Sequence, residues 1–290
     1  MDWINAVIQG ILTGGLYALF ATGLSLAFGV MRFVNLAHGD LAILAAYLTL
    51  STSAIVGVGY WPSMVIVVIV MFGIGYVGQR GLFNFTLGED PLPGILVSFG
   101  VGIVIQNALQ EHYTATDRSI DLGPILTDSV TISDDISIGL FPLLTLGVAV
   151  VVLVALQLLF SRTSIGRAFR ATADDPQTAQ LMGINDKRLY GVAMAIAFAA
   201  VALAGFFRGA RTSFSPSSGG GILLFAFEAV VIGGLGSLWG TLVGGIVLGV
   251  AQGVGNQASI GWDLLAGHLV FLFVLLVRPR GLVSAGGRGL

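Results

Sequence analysis

Apolar runs of roughly membrane-spanning length recur from one end of this chain to the other. They lie at residues 4–30, 36–56, 62–77, 94–109, 140–160, 189–207, 222–253 and 262–277. About 20 such residues carry a helix across the hydrocarbon core of a bilayer. In lipid every backbone N–H and C=O must be satisfied within the protein, which leaves helices and closed barrels. Continuous rather than alternating apolarity selects helices. The expected fold is therefore all-α, a polytopic helical membrane protein with a single transmembrane domain over residues 1–290. Charged residues agree with this, at 10% of the chain against about 25% in soluble proteins. What lies between the runs is too short for a separate soluble domain. The start, Met1-Asp2-Trp3, has no basic region, so the first run is expected to be a span rather than a cleaved signal peptide.

The run at 222–253 is too long for one ordinary span and too short for two. Its middle, Gly233-Gly234-Leu235-Gly236-Ser237-Leu238-Trp239-Gly240, is expected to break it into two short helices that cross twice or form a re-entrant pair. The count is then eight to nine crossings. Glycines at 236, 240 and 244, then at 245, 249 and 253, form a ladder suited to tight helix packing, as does the pair Gly10 and Gly14. A break near mid-membrane would also present backbone groups to a polar solute. Gly233, Gly234 and Gly236 are therefore candidate path residues.

Charge orients this map. Alternating from an outside N-terminus, Arg32, Arg80, Arg162, Arg167, Arg170, Lys187, Arg188, Arg278, Arg280 and Arg288 fall inside, while Arg118, Arg208 and Arg211 fall outside. That asymmetry satisfies the positive-inside rule. It places the protein in the cell membrane with its N-terminus outside and its C-terminus in the cytoplasm. The loop at 111–138, with Glu111, Asp117, Asp121, Asp128, Asp134 and Asp135 against Arg118, is then extracellular. The basic stretch at 161–188 is cytoplasmic and reads as two short helices. Ser164 can cap the first. Asp175 followed by Pro176 starts the second, because Pro at the first helical position loses no hydrogen bond. Gly183 can end it in the left-handed conformation. One reading is a basic amphipathic helix resting on membrane lipid. The apolar residues here are small and scattered, however, so the preferred reading is a helical segment gripped by a cytoplasmic protein.

No catalytic constellation is present. His38, His112 and His268 are far apart, no Ser stands in G-x-S-x-G, and the chain has no cysteine. No catalytic, metal or cofactor site is expected, nor a nucleic-acid partner. The single lysine, Lys187, follows Asp186 and belongs to no phosphate-binding loop. If ATP drives this protein, the motor is another polypeptide. Ionisable residues inside spans are functional candidates because a charge there costs about 2.5–3.5 kcal/mol on insertion scales. Glu228 is the sharpest, about two turns into its helix and within reach of interfacial water. Asn35 is placed to cap the second span and Asp40 lies near that helix's positive end, with Gly39 for close approach. His38 is a candidate for the path. Asp263 reads as a cap for the last span and His268 as a hydrogen-bonded core residue.

Three separated stretches resemble one family, the permeases of branched-chain amino acid ABC importers. They are Asn35-Leu36-Ala37-His38-Gly39-Asp40, then Gly166-Arg167-Ala168-Phe169-Arg170-Ala171 with Ala179-Gln180-Leu181-Met182-Gly183-Ile184-Asn185, and then Val231-Ile232-Gly233-Gly234-Leu235-Gly236-Ser237-Leu238-Trp239-Gly240 through Gly244-Gly245. The resemblance covers nearly the whole chain. It implies a permease that pairs with a second permease subunit, two ATP-binding cassette subunits and an extracellular solute-binding protein. It also implies that 161–188 is the coupling loop, with Ile165, Gly166, Arg167, Arg170, Asp175, Leu181, Met182 and Gly183 meeting the ATPase. The sequence departs from the family at Phe225, where a lysine is common, and at Glu228, where a small polar residue is common. Related permeases carry urea, short amides or sugars. The rival expectations are a motor-independent channel for urea or a similar small neutral solute, an ion-coupled transporter using Glu228 or His38, and a purely structural membrane subunit.

Overall fold

The computed structural model describes residues 2–88, 90–133 and 136–283. Asp134 and Asp135 of the acidic loop, Arg288 of the basic end, and Met1, Glu89 and the rest of 284–290 lie outside the described residues. Among the described residues the chain forms eleven α-helices: α1 (Asp2–Met31), α2 (His38–Val56), α3 (Tyr60–Gly81), α4 (Leu92–Tyr113), α5 (Leu140–Arg162), α6 (Ser164–Asp174), α7 (Pro176–Leu181), α8 (Asp186–Arg211), α9 (Gly219–Gly233), α10 (Leu238–Ala258) and α11 (Asp263–Val277). All except α6, α7 and α11 are long and apolar enough to cross a membrane, with a 3-10 turn at Pro216–Ser218 extending α9. The helix α11 is a shorter apolar helix of 15 residues. The eight to nine crossings read from the sequence agree with this set.

Burial follows from which helices are central. Most of α1 and α8 is enclosed by protein, while α3, α4 and α5 turn most of their surface outward. The central helix α1 packs along α10 and α8, and α8 and α9 each pack against both α1 and α2. Glycine makes these approaches possible. A Cβ at Gly14 would lie 2.7 Å from Gly245 O, and one at Gly245 would lie 2.6 Å from Gly14 O. On a neighbouring face of α10, a Cβ at Gly240 would lie 2.6 Å from Gly233 O, and one at Gly244 2.7 Å from Gly233 N. From Gly240 onward the ladder is therefore two stripes on one helix, one pressed against α1 and the other against α9.

The turn between α9 and α10 holds Gly234 at φ 109 and Gly236 at φ 79, values that disfavour any residue with a Cβ. It does not lie where a central break would. Gly236 sits against Gly29, close to the end of α1, and Gly234 sits against Arg280 and Val283, beyond α11. Leu282 N donates to Ile232 O (2.8 Å) and Val283 N to Gly233 O (3.0 Å). Two carbonyls of the break are therefore taken up by the chain itself. The mid-membrane reading is corrected to a closed turn at the basic end.

The loop ends also pair as the charges indicated. Arg118 and Phe214 exchange backbone hydrogen bonds of 2.9 and 2.8 Å, and Ile120 N donates to Gly209 O (2.9 Å). These bonds bring Arg118 to the same end as Arg208 and Arg211. A small antiparallel hairpin, β1 (Ser129–Ser133) and β2 (Ile136–Gly139), pairs Val130 with Ile138 and interrupts the otherwise helical chain. The sequence did not suggest it. At the other end, Asn84 Nδ2 donates to Lys187 O (3.3 Å).

Candidate functional site

The basic stretch folds as two short helices clamped to the bundle. Thr163 starts α6, since its backbone is extended (φ −101, ψ 160) and its hydroxyl accepts from Gly166 N. Ser164, expected to cap, is the first residue inside the helix; the cap falls on the neighbouring hydroxyl because that residue has the non-helical backbone a cap needs. Gly166 is pressed onto α5, where a Cβ would lie 2.5 Å from Phe160 Cα. Phe169 is fully buried and its ring packs, tilted by 32°, 5.2 Å from that of Phe160. Arg170 turns back to donate to Phe160 O. In α7, Asp175 accepts from Gln177 N (3.0 Å), Thr178 N (3.1 Å) and Thr178 Oγ1 (2.5 Å). The Thr178 hydroxyl and N–H groups hold its carboxyl below the usual carboxylate range. Pro176 occupies the first turn. Gly183, at φ 84, ends the helix: its N–H donates to Gln180 O (2.9 Å) and Ile184 N to Ala179 O (3.1 Å), the paired bonds of a Schellman motif.

The outward surface of this piece is mostly polar, with a few large apolar side chains standing out from it. Leu181 and Met182 are 87% and 79% exposed, and Ile165 is 45% exposed. Arg167 is exposed beside them. Of the residues assigned to coupling, these four are exposed, Asp175 and Gly183 are exposed and also shape its turns, and Gly166 and Arg170 fix the helix to α5.

The candidate path residues fall in separate places. Asn35 and His38 are each 2% exposed. Asn35 Oδ1 accepts from Ala37 N (3.0 Å), but α2 begins at His38 and its N-cap, Ala37, has no side-chain cap. Asn35 thus shapes the turn before the helix instead of capping it. His38 Nε2 lies 2.7 Å from Phe20 O. Asp40 fits between Gly102 and Gly219, and a Cβ at Gly102 would come within 2.6 Å of its Oδ2. Glu228 is 1% exposed, so it does not reach interfacial water. Its Oε1 lies 2.5 Å from His268 Nδ1 on α11, so His268 is hydrogen-bonded as expected, but its side chain is 37% exposed and it is not a core residue. Asp263 sits in the first turn of α11 without capping it, because Trp262 is the N-cap residue and accepts no side-chain bond. Gly233, Gly234 and Gly236 are buried in the closed turn described above.

One polar group went unread in the sequence. Arg211 Nη2 donates to Thr13 Oγ1 (2.7 Å) and Tyr17 donates to Gln252 Oε1, joining α8 to α1 and α1 to α10. The spacing of Gln9, Thr13 and Tyr17 along α1 places three polar side chains on one helical face and would have pointed to it.

These features define a polytopic helical membrane protein with a clamped, outward-presenting handle at its basic end. Residues 6–277 match the family model described as "Branched-chain amino acid transport system / permease component". The chain belongs to that family, as the three sequence stretches indicated. It is 28% identical to the high-affinity branched-chain amino acid transport system permease protein BraD of Pseudomonas aeruginosa, over 97% of this chain and 96% of that one. It is 25% identical to the permease protein LivH of Escherichia coli over the same shares. It is 23% identical to a probable branched-chain amino acid transport permease protein LivH of Methanocaldococcus jannaschii, over 96% of this chain and 92% of that one.

Proposed function

We propose that this chain is the permease subunit of an ABC importer that carries branched-chain amino acids, or related small amino acids and amides, across the cell membrane. Separate ATPase subunits drive it, an extracellular solute-binding protein delivers the solute, and the path forms with a second permease subunit. The observation that carries this reading is the handle. Leu181 and Met182 stand almost fully exposed side by side at the C-terminal end of α7, whose two ends are both fixed, and we read the pair as the contact a partner covers. The neighbouring helix is locked to α5 through Gly166, Phe169 and Arg170. A push on this surface is therefore passed to α5 and α8 rather than absorbed in a loop.

The same geometry selects the test. Arg170 is part of the clamp, so replacing it would disturb the fold. Leu181→Asp with Met182→Asp changes only exposed atoms. The pair should leave the subunit folded and membrane-inserted, but it should lose copurifying ATPase and ATP-dependent uptake. Wild-type uptake by this variant would remove the handle from the mechanism.

A further inference from the structure

We propose that Arg208 and Arg211 receive the solute's carboxylate at the end of the bundle that bears the acidic loop, with Phe225 as the wall against its apolar side chain. This deepens the importer reading and rests on it. The two arginines are one turn apart in the last turn of α8. Arg211 reaches across to Thr13, and Thr13 is one turn above Tyr17 on α1. Tyr17 is buried, its hydroxyl is held by Gln252, and its ring lies 5.2 Å from that of Phe225 on α9. Both arginines are close enough to Tyr17 to interact with it electrostatically. Gln9, one turn beyond Thr13, is tied to Ser137 O of β2 (2.8 Å), which fixes this group at the acidic-loop end.

Among the described residues no carboxylate pairs with either arginine, and the ion pair within 4.0 Å is Glu228 with His268. Arg208 Nη1 is buried with no hydrogen-bond partner. Asp263 also acts on Tyr17 electrostatically, yet it pairs with neither arginine. The simpler reading is that two cations at a helix C-terminus complement its dipole and reach lipid headgroups. That reading does not account for the directions taken. Arg211, though exposed, bonds across to Thr13 on α1, and Arg208 Nη1 is turned into the bundle, where a headgroup does not reach but a solute moving through an opened path does. A buried donor left unmade is costly, and a guanidinium fork is shaped for a carboxylate. An amino acid with an apolar side chain supplies both the carboxylate for the arginines and the apolar surface for Phe225. Urea has no carboxylate to offer.

The test uses the complete importer in proteoliposomes: this chain, its partner permease, the ATPase subunits and the binding protein. The readouts are radiolabelled L-leucine uptake and ATP hydrolysis, measured together. Arg208→Gln with Arg211→Gln should lower leucine moved per ATP by about tenfold or more, while hydrolysis stimulated by loaded binding protein continues. Arg208→Lys, which keeps the charge, should recover part of that loss. Wild-type coupling in the double variant would overturn the carboxylate site. So would parallel loss of uptake and hydrolysis in both variants, which marks a structural role. Failure of the wild-type complex to import leucine on ATP would instead remove the importer reading itself.

Discussion

Glu228 sits in an otherwise apolar helix and is 1% exposed. Its cost is offset by one neighbour, His268 Nδ1 at 2.5 Å, and its second oxygen, Oε2, has no partner. Removing the neighbour and removing the charge should therefore differ. His268→Ala leaves both carboxyl oxygens unmatched and should destabilise the subunit by about 1–3 kcal/mol. Glu228→Gln keeps an acceptor for His268 and removes the need to bury a charge, so it should cost less than His268→Ala. Thermal unfolding of the two variants in detergent measures the order, and the reverse order would show that the contact is incidental. Glu228 was legible in the sequence because a carboxylate within a span is conspicuous by its cost. Its partner was not, since nothing local to residue 228 indicates a residue 40 positions away. Arg208 and Arg211 were seen only as charges that fix orientation, because the Arg211 bond is to α1 and Arg208 Nη1 has no partner to reveal it. The caps of the basic stretch were legible to within a residue: Asp175 and Gly183 act as read, while Thr163 takes the place of Ser164 because adjacent hydroxyls differ only in backbone angle. Asn35 and Asp263, read as caps elsewhere, cap nothing.

At the level of elements, α10 shows how far a glycine pattern can be read. The four-residue spacing indicated tight packing without naming the partners, and the structure supplies two, α1 and α9. Gly249 is a direct probe, since an added Cβ would lie 2.7 Å from Gly14 N. Backbone atoms cannot move aside as side chains do. Gly249→Ala should therefore cost about 1–3 kcal/mol through overpacking. Gly147 on α5 has nothing within 4 Å of the same added atom, and Gly147→Ala should be neutral or stabilising by up to about 1 kcal/mol. Chemical or thermal unfolding of the two variants checks the contrast, and equal effects would mean the α1–α10 approach is looser than it stands here. The depth of the α9–α10 turn was misread for a related reason. Sequence shows where a helix breaks, but Leu282 and Val283, which take up the turn's carbonyls, come from beyond α11, two helices further on. The β1–β2 hairpin was likewise hidden inside a loop defined by its acidic residues.

For the whole molecule, the two ends differ in what they present, and the mechanism needs them on opposite sides of the membrane. One end gathers Arg118, Arg208, Arg211 and the acidic loop, held together by the Arg118–Phe214 and Ile120–Gly209 bonds. The other gathers the handle, the α9–α10 turn and the basic residues after α11. The positive-inside rule makes the second end the expected cytoplasmic one, and that sidedness is what a labelling experiment tests. The chain contains no cysteine, so single cysteines report one position each. Asp128→Cys, exposed in the acidic loop, should react with a membrane-impermeant maleimide on intact cells. Leu181→Cys is almost fully exposed on the handle, yet it should stay unlabelled until the membrane is permeabilised. Thr172 lies within the same stretch but is buried against the bundle, so a label there would report packing instead of sidedness. Labelling of Leu181→Cys from outside intact cells would put the handle out of reach of any ATP-driven partner. The carboxylate site would then face the cytoplasm, and import would have no entry point at the arginine pair.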